Sequence, residues 1–485
     1  MDKLTGIAIF CLVFLSFLHM LASAQEKPVM RFERVYDCRE LGDSFTYYFL
    51  MNNVYSDGIC FNVTGDNIVL DGSGHDIRMQ GGSGGIDEIV GIFVEDVHDV
   101  RVTDARIFGF NQGIVFRNVS SSKIEYIDSI SNAFSGISLY GSTENEIGYN
   151  AADENGEYGI LIKESSGNRI IENSASENTL GLWSGTGTGI SLESSPGNFI
   201  EKNEVTYNDF GIVLYQSDNN HLLRNKARHN LPGAFNTGYG IKIVSSSENL
   251  LNKNLIEYND KEGIYLISST DNILTDNYLG RNNKAGIHLK SSSGNSLNKN
   301  LIEYNEYGIF LLDSQDNDIS EETIFSPFID GVHIAGNSPG NLLSNIRVSG
   351  IYYSEDLNVN STETDGTLIK DNLFARYFIL GAKLTFEERY GQIMFLRQIS
   401  GEGNDLGREI RIGHNRIVID SRENQELNEP SKLTFYEMPG NFGNPAIYRN
   451  GRICPPELCE ALSSLNDETV VIRVAKSGVY EILEL

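Results

Sequence analysis

Residues 263–285 read GIYLISSTDNILTDNYLGRNNKA, and residues 286–307 read GIHLKSSSGNSLNKNLIEYNEY. Both stretches begin with Gly-Ile, carry an aliphatic residue three places after the Gly, and carry Asn nine and fourteen places after it. The pattern returns about every 22 residues between positions 91 and 332, interrupted by two insertions of about seven residues. A fixed period of this length indicates stacked structural units, so the repeat decides the fold before any local structure is assigned.

Each repeat consists of short apolar stretches separated by Asn, Ser and Gly. Aliphatic residues at alternate positions are typical of strands that bury one face, and Asn, Ser and Gly are typical of the turns between them. Apolar residues at helical spacing are absent from these repeats. Three strands and three turns per repeat, stacked without helices, predict an all-β fold in the form of a parallel β-helix. Asn side chains at equal positions would then bond from coil to coil, around a core of stacked Ile and Leu.

The Gly-Ile, Ser and Asn registers resemble those of the right-handed parallel β-helix proteins with carbohydrate-binding and sugar-hydrolase type repeats. Residues 65–350 carry the resemblance, which is strongest to the NosD-type branch and to secreted archaeal surface proteins. The segment that follows Cys60, NIVLDGSGHDI at 67–77, looks like the entry coil of that family. The resemblance implies a right-handed β-helix of about 11–13 coils.

The two ends of the chain depart from the repeat. Residues 1–24 read as a secretory signal peptide, with an apolar run that ends in Ala-Ser-Ala. We predict an N-terminal cap at 25–65, the β-helix at 66–356, a linker at 357–370, and a β-sandwich-like domain at 371–485. Export favours disulfides at Cys38 with Cys60 and at Cys454 with Cys459. A redox or metal pair at the second site is the alternative.

Composition limits the partners. The chain has 38 basic and 66 acidic side chains, and its net charge of −28 argues against nucleic acid and anionic membranes. After the first apolar run, no stretch is long enough to span a membrane. The sequence therefore predicts a secreted or cell-surface protein, without a membrane span in the mature chain.

The most promising binding surface lies beside the Gly-Ile strand, where outward positions carry aromatic residues. Both insertions precede this strand, and each contributes one aromatic side chain. Rings above a polar groove can stack on sugar rings, and loops on a rigid scaffold are where function concentrates. The predicted ligand-binding residues are Trp183, Tyr215, Phe235, Tyr265 and Phe310. The alternative is that the insertions or the C-terminal domain simply cover this row.

Catalytic and metal-binding constellations are weak by comparison. Glu248 and Asp271 fall on adjacent coils at a spacing that suits a carboxylate pair, but other repeats carry Gly or Asn there, which favours a turn. The NosD resemblance raises copper, yet His288 and His333 are two coils apart and share no chelating spacing. An acidic cluster could hold calcium or form a solvated turn: Asp313, Asp316, Asp318, Glu321 and Glu322. We assign no catalytic residue, no metal ligand and no cofactor.

The sequence thus predicts an exported scaffold or binding protein that presents a lateral surface to extracellular polysaccharide, glycoprotein or cell-envelope partners. A polysaccharide lyase, glycoside hydrolase or epimerase is the alternative, and a NosD-like copper-related protein is the second. The fold itself does not choose between them.

Overall fold

The computed structural model describes residues 29–81, 89–179, 187–231, 237–350, 355–371 and 374–485. The predicted signal peptide at 1–24 lies outside these residues, as do most of the two insertions. Within the described residues, the chain forms a right-handed-type parallel β-helix of about 14 turns, followed by a C-terminal antiparallel domain. The predicted fold class is confirmed, with about 14 turns where 11–13 coils were predicted.

Sheet B contains the Gly-Ile strand of every repeat. Its neighbours pair in parallel, each with the strand one turn later, until the last strand pairs antiparallel. Its strands in the described residues are Arg39–Leu41, Phe61–Val63, Val90–Glu95, Gln112–Arg117, Ser135–Tyr140, Tyr158–Lys163, Thr188–Glu193, Phe210–Tyr215, Tyr239–Val244, Ile264–Ile267, Ala285–Lys290, Tyr307–Leu312, Asp330–Asn337, Glu355–Glu363, Tyr377–Ala382 and Ile399–Gly403.

Sheet A forms a second wall and continues into the C-terminal domain. Its strands are Arg31–Val35, Thr46–Leu50, Val54–Ser56, Val69–Asp71, Asp76–Met79, Arg101–Phe108, Lys123–Ile130, Glu146–Gly148, Arg169–Ile171, Phe199–Glu201, His221–Leu223, Leu250–Asn252, Ile273–Thr275, Ser296–Asn298, Asp318–Ser320, Leu342–Ser344, Thr367–Lys370, Leu384–Glu388, Gly391–Phe395, Ser431–Phe435, Cys459–Ala461 and Val470–Val474.

Two smaller sheets complete the fold. Sheet C forms the third wall of the later coils, from Glu204–Thr206, Lys226–Arg228, Leu255–Glu257, Tyr278–Gly280, Leu301–Glu303, Thr323–Phe325 and Arg347–Ser349. Sheet D is antiparallel and belongs to the C-terminal domain, with strands Ile410–Gly413, Arg416–Ile419, Pro445–Arg449, Arg452–Ile453 and Gly478–Glu484. Short helical turns lie at Leu406–Glu409 and Gln425–Leu427.

The interior of the β-helix follows from the repeat. The aliphatic residues one and three places after each Gly point inward and are fully buried, as Ile264 and Leu266 are. Asn side chains form continuous ladders: Asn249 Nδ2 donates to Asn272 Oδ1 at 3.0 Å, and Asn249 Oδ1 accepts from Asn220 N at 2.8 Å. Stacked amides are confirmed. The Ser register forms a further ladder of the same kind, in which backbone N–H groups donate to the hydroxyl one turn later, as from Ser142 to Ser165.

One position of the predicted acidic cluster is not on a solvated turn. Glu322 is fully buried and takes the place of Asn at the end of an amide ladder. Asn300 donates to it from Nδ2 at 2.8 Å and from the backbone N at 3.0 Å. Burial raises the pKa of Glu322 well above its ordinary value. By contrast, Glu248 and Asp271 adopt positive φ of 57° and 56°, as the turn interpretation predicts.

The ends of the β-helix differ from the predicted boundaries. The stretch taken for a linker at 357–370 forms strands Glu355–Glu363 and Thr367–Lys370, which pair in parallel with the preceding coil. Similarly, Arg31–Val35 already pairs in parallel with Thr46–Leu50, within the predicted cap. These turns pair without the Gly-Ile register because strand pairing uses backbone N–H and C=O groups, which do not depend on a repeated side chain.

Both predicted disulfides are present. Cys38 and Cys60 are 22 residues apart, about one coil, so the bond joins successive turns at the N-terminal end. Cys454 and Cys459 close a short loop between Arg452–Ile453 and Cys459–Ala461. The metal alternative for the second pair is thereby disfavoured, because metal ligation needs free thiolates.

Candidate functional site

The outward face of sheet B carries a file of rings, which we call the ring file: Phe210, Tyr239, Tyr265, His288 and Phe310. Each ring comes from a successive coil, and centroids of neighbours are 4.6 to 5.6 Å apart. The planes are inclined by only 5° to 27°. Strand alternation points the residue two places after each Gly to the outside. Phe210 and Tyr239, each directly before a Gly, join the same file although simple alternation would point them inward.

Stacking determines what the ring file can offer a ligand. The faces of Tyr239, Tyr265 and His288 are covered on both sides by neighbouring rings. The sequence predicts ring faces that stack on sugars, but these three rings present edges and polar tips instead. Hydrogen bonding at ring edges is therefore the chemistry that the centre of the file supports.

A lysine caps one end of the ring file. The Lys242 ammonium lies 5.1 Å from the ring centroids of both Phe210 and Tyr239. Burial lowers the pKa of Lys242, while burial and then the Glu262 carboxylate raise the pKa of Tyr239 to about 12. Burial and Glu262 also raise the pKa of Tyr265. Both tyrosines remain protonated at neutral pH, and both can donate a hydrogen bond.

Two histidine–carboxylate pairs lie at the other end of this surface. His288 Nδ1 is 3.0 Å from Glu262 Oε1, and His333 Nδ1 is 2.7 Å from Asp330 Oδ2. Asn358 Nδ2 also donates to Asp330 Oδ2, at 3.0 Å. The ring of Phe310 separates the two imidazoles, at 4.6 Å from one and 4.8 Å from the other. Each carboxylate orients one imidazole, because a hydrogen bond at Nδ1 sets the ring and its tautomer.

Several polar atoms of this surface are buried without a partner. Among the described residues, Glu262 Oε2, His288 Nε2 and Asn358 Oδ1 accept or donate no hydrogen bond. Buried polar groups are nearly always satisfied, so a row of exceptions on one surface requires a physical reason. A hydroxyl-rich ligand or ordered water at this surface would supply the missing partners.

A cavity of about 540 Å³ opens on the same face of sheet B, nearer the N-terminus. We call it the Tyr140 pocket. It is lined by Arg117, Asn118, Phe134, Tyr140, Gly141, Lys163 and Glu164. Its aromatic walls and flanking cations distinguish it from a cavity at the junction with the C-terminal region, which is lined mainly by polar side chains such as Glu321 and Asp371.

The predicted site residues are only partly brought together. Tyr265 and Phe310 belong to the ring file. Tyr215 lies instead at the end of its strand, where it is 46% exposed and its register partners on the neighbouring strands are Glu193 and Val244. Trp183 and Phe235 lie outside the described residues. The histidine–carboxylate pairs and the Tyr140 pocket were missed. The shared second position of His288 and His333 was visible in the repeat, but their acidic partners come from the position before the Gly.

Copper would need soft or imidazole ligands that converge on one point. Cys38, Cys60, Cys454 and Cys459 are consumed by disulfides. No group of three or more His, Cys, Asp or Glu side chains in the described residues could hold a metal ion. The described part of the chain therefore does not fit a copper site.

The β-helix region matches a known protein family. A family model described as "Periplasmic copper-binding protein (NosD)" matches residues 50–231 and 224–377. No curated protein matches the sequence. Within the described residues, no helix is long and apolar enough to cross a membrane.

Three solved structures are similar in part. The A-module of a mannuronan C-5 epimerase, AlgE6 of Azotobacter vinelandii, is 16% identical over 68% of this chain and 91% of its own, with a TM-score of 0.43. The periplasmic alginate epimerase AlgG is 18% identical over 63% and 77%, with a TM-score of 0.36. The Dettilon tailspike protein is 11% identical over 89% and 87%, with a TM-score of 0.35. At these identities, no substrate or activity is transferred to this chain.

Proposed function

The chain belongs to the NosD family, and from that premise we propose that it is an exported saccharide-binding protein whose ligand lies along the outward face of sheet B. The ligand would be an extracellular polysaccharide or the glycan of a cell-envelope glycoprotein. Copper carriage is not part of the proposal, because the described residues do not fit a copper site.

One observation carries this proposal: Glu262 Oε2, His288 Nε2 and Asn358 Oδ1 are buried and unpartnered beside the ring file. Saccharides carry many hydroxyl groups, so they match a surface that offers tyrosine hydroxyls beside unsatisfied acceptors and donors. Leaving such atoms unpaired costs about 1–3 kcal/mol each, and hydroxyl groups from a ligand would recover part of this.

Export is supported by two further features. The disulfides Cys38–Cys60 and Cys454–Cys459 are typical of oxidising compartments. The first 24 residues have the pattern of a signal peptide, although they lie outside the described residues. Trp183 and Phe235 remain predicted ligand-binding residues, and both lie outside the described residues.

The test is a glycan-array screen of the exported protein, followed by calorimetry on the glycans that bind. Replacing Lys242 by Met removes the ammonium at the end of the ring file and keeps the apolar stem. Loss of one charge-assisted hydrogen bond, about 1.5–3 kcal/mol, should weaken binding roughly tenfold or more. Lys226→Met is the matched control, because that side chain is half exposed on sheet C and pairs with Glu204 at 3.4 Å. Equal affinities of the two variants would contradict the proposed site.

A second candidate function, an acid–base enzyme on the same saccharide, is favoured by the His288–Glu262 pair. A carboxylate that orients an imidazole through Nδ1 is the arrangement used for general acid–base catalysis. The test is the release of reducing or unsaturated sugar ends from a glycan that binds. Product formed by the wild type and lost in His288→Gln favours an enzyme, whereas binding without product favours a binding protein.

A further inference from the structure

Five consecutive coils of sheet B place a symmetrical charge pattern in one outward row. The row reads Glu95, Arg117, Tyr140, Lys163 and Glu193, and each residue is a register partner of the next. The order is therefore anion, cation, tyrosine, cation, anion. Neighbouring coils are about 4.8 Å apart, so the two cations straddle Tyr140 about 10 Å apart along the rod.

The carboxylates at the outer ends hold each cation from the side away from Tyr140. Arg117 Nη1 is 3.6 Å from Glu95 Oε1, and Lys163 Nζ is 3.4 Å from Glu193 Oε2. The Arg117 guanidinium also lies 5.1 Å from the ring centroid of Phe93, which fixes its direction. Both cations remain partly exposed, with 33% and 44% of their side-chain surface accessible. They are oriented by loose ion pairs and are still able to contact a ligand.

Tyr140 lies between the two cations in the row, and all three side chains line the Tyr140 pocket together with Phe134. The Tyr140 hydroxyl donates to Gln112 Oε1 at 3.0 Å, which sets the direction of the ring. Phe134 closes the other side and packs edge-on against Tyr158, at a centroid distance of 5.4 Å. The cavity of about 540 Å³ that both rings line has room for a sugar residue.

We propose that the Tyr140 pocket binds one sugar residue that carries an acidic group, with that group held between Arg117 and Lys163. The inference rests on the proposed saccharide-binding function and specifies the class of ligand. The Arg guanidinium and the Lys ammonium both bind carboxylate or sulfate oxygens. The aromatic walls contact the apolar face of the sugar ring.

Nearby carboxylates and the overall charge both act against an acidic ligand. Glu164 lines the pocket, and Glu95 and Glu193 already pair with Arg117 and Lys163, so an acidic group has to exchange for these two loose contacts of 3.6 and 3.4 Å. The overall charge of −28 is spread along the whole rod. Charges beyond about 8 Å are screened at physiological ionic strength, whereas direct contacts within the pocket are screened much less. Direct contact with the two partly exposed cations is therefore the contribution that an acidic ligand has to make.

The ring file has a different charge character, because Glu262 and Asp330 are its buried carboxylates. One acidic group fits near Tyr140, while neutral hydroxyl groups fit at Glu262 and Asp330. A ligand that spans both would carry acidic sugars at some positions only.

The experiment is calorimetry of the full-length exported protein with three hexasaccharides of equal length: a neutral glucan, an oligogalacturonate and an O-sulfated glucan. We expect one or both acidic probes to bind at least tenfold more tightly than the neutral one, and the two acidic probes distinguish carboxylate from sulfate. Arg117→Gln and Lys163→Gln should each remove most of this preference. Lys123→Gln is the matched control, since Lys123 pairs with Glu146 at 3.0 Å on sheet A.

The outcomes separate this inference from the function on which it rests. Equal or tighter binding of the neutral probe overturns the acidic subsite and leaves saccharide binding intact. An acidic preference that survives in both Gln variants, with melting temperatures equal to that of the control, also overturns it. Failure of all three probes and of the glycan array refutes the subsite and the saccharide-binding function together.

Discussion

Replacing Asn254 by Leu should destabilise the β-helix strongly, because this side chain is a link in a buried amide ladder. Asn254 is 1% exposed. Its Nδ2 donates to Asn277 Oδ1 and to the Leu222 carbonyl, both at 2.9 Å. Its Oδ1 accepts from the backbone N and the Nδ2 of Asn225, at 2.9 and 3.1 Å. Leucine removes all four hydrogen bonds.

The magnitude follows from these four contacts. Each buried hydrogen bond contributes about 0.5–1.5 kcal/mol net, so their loss lowers the free energy of unfolding by about 2–6 kcal/mol. The backbone N–H of Asn225 loses its partner outright, which places the expected effect in the upper part of that range. Burial of the apolar leucine offsets little, since the site is filled on both sides by Asn225 and Asn277.

The assay is urea denaturation of Asn254→Leu beside Asn283→Leu. Asn283 is exposed, and its side chain donates only to Asp260 Oδ1, at 2.9 Å, so the same substitution should cost less than about 0.5 kcal/mol there. Hydrogen exchange then locates the effect, because coils contribute to stability through contacts with their neighbours. Faster exchange confined to the coils around Asn254 is expected. If the two variants unfold at the same urea concentration, the ladder does not stabilise the rod.

Further predictions concern pH and the disulfides. Burial raises the pKa of Glu322. The protonated carboxyl therefore stabilises the folded state below the unfolded-state pKa of about 4.3, and this stability is lost as the pH rises through the folded-state pKa. Glu322→Gln should abolish this part of the decline in melting temperature between about pH 4 and 8. Burial and the neighbouring Asp371 raise the pKa of Glu388 to about 7, so Glu388→Gln should flatten the stability curve between about pH 4.5 and 7, and an unchanged slope would argue against it. Replacing Cys38 and Cys60 by Ser should lower the free energy of unfolding by about 3 kcal/mol, because the disulfide no longer closes a loop of 22 residues in the unfolded chain. Peptide mapping that found free thiols in the wild type would contradict this.

The sequence alone determined the architecture of the repeats. The coil length, the inward Ile and Leu columns and the Asn ladders follow from a period in which equal residues return at equal places, as Asn249 and Asn272 do. Stacking is a local rule applied many times, so a one-dimensional pattern is enough to specify it. The turns at 31–50 and 355–370 were missed because backbone hydrogen bonds pair their strands without any repeated side chain that would mark them in the sequence.

The candidate site required the tertiary structure. The ring file changes position within the repeat, from the residue before Gly at Phe210 and Tyr239 to the second residue after it at Tyr265. A search along one register position therefore finds only part of it. The charge row around Tyr140 could be read from the register, but a turn residue, Phe134, makes it a pocket. Side chains from different parts of the coil meet only when the chain closes each turn, and the depth of a cavity and the burial of an unpaired atom are properties of that closed shape.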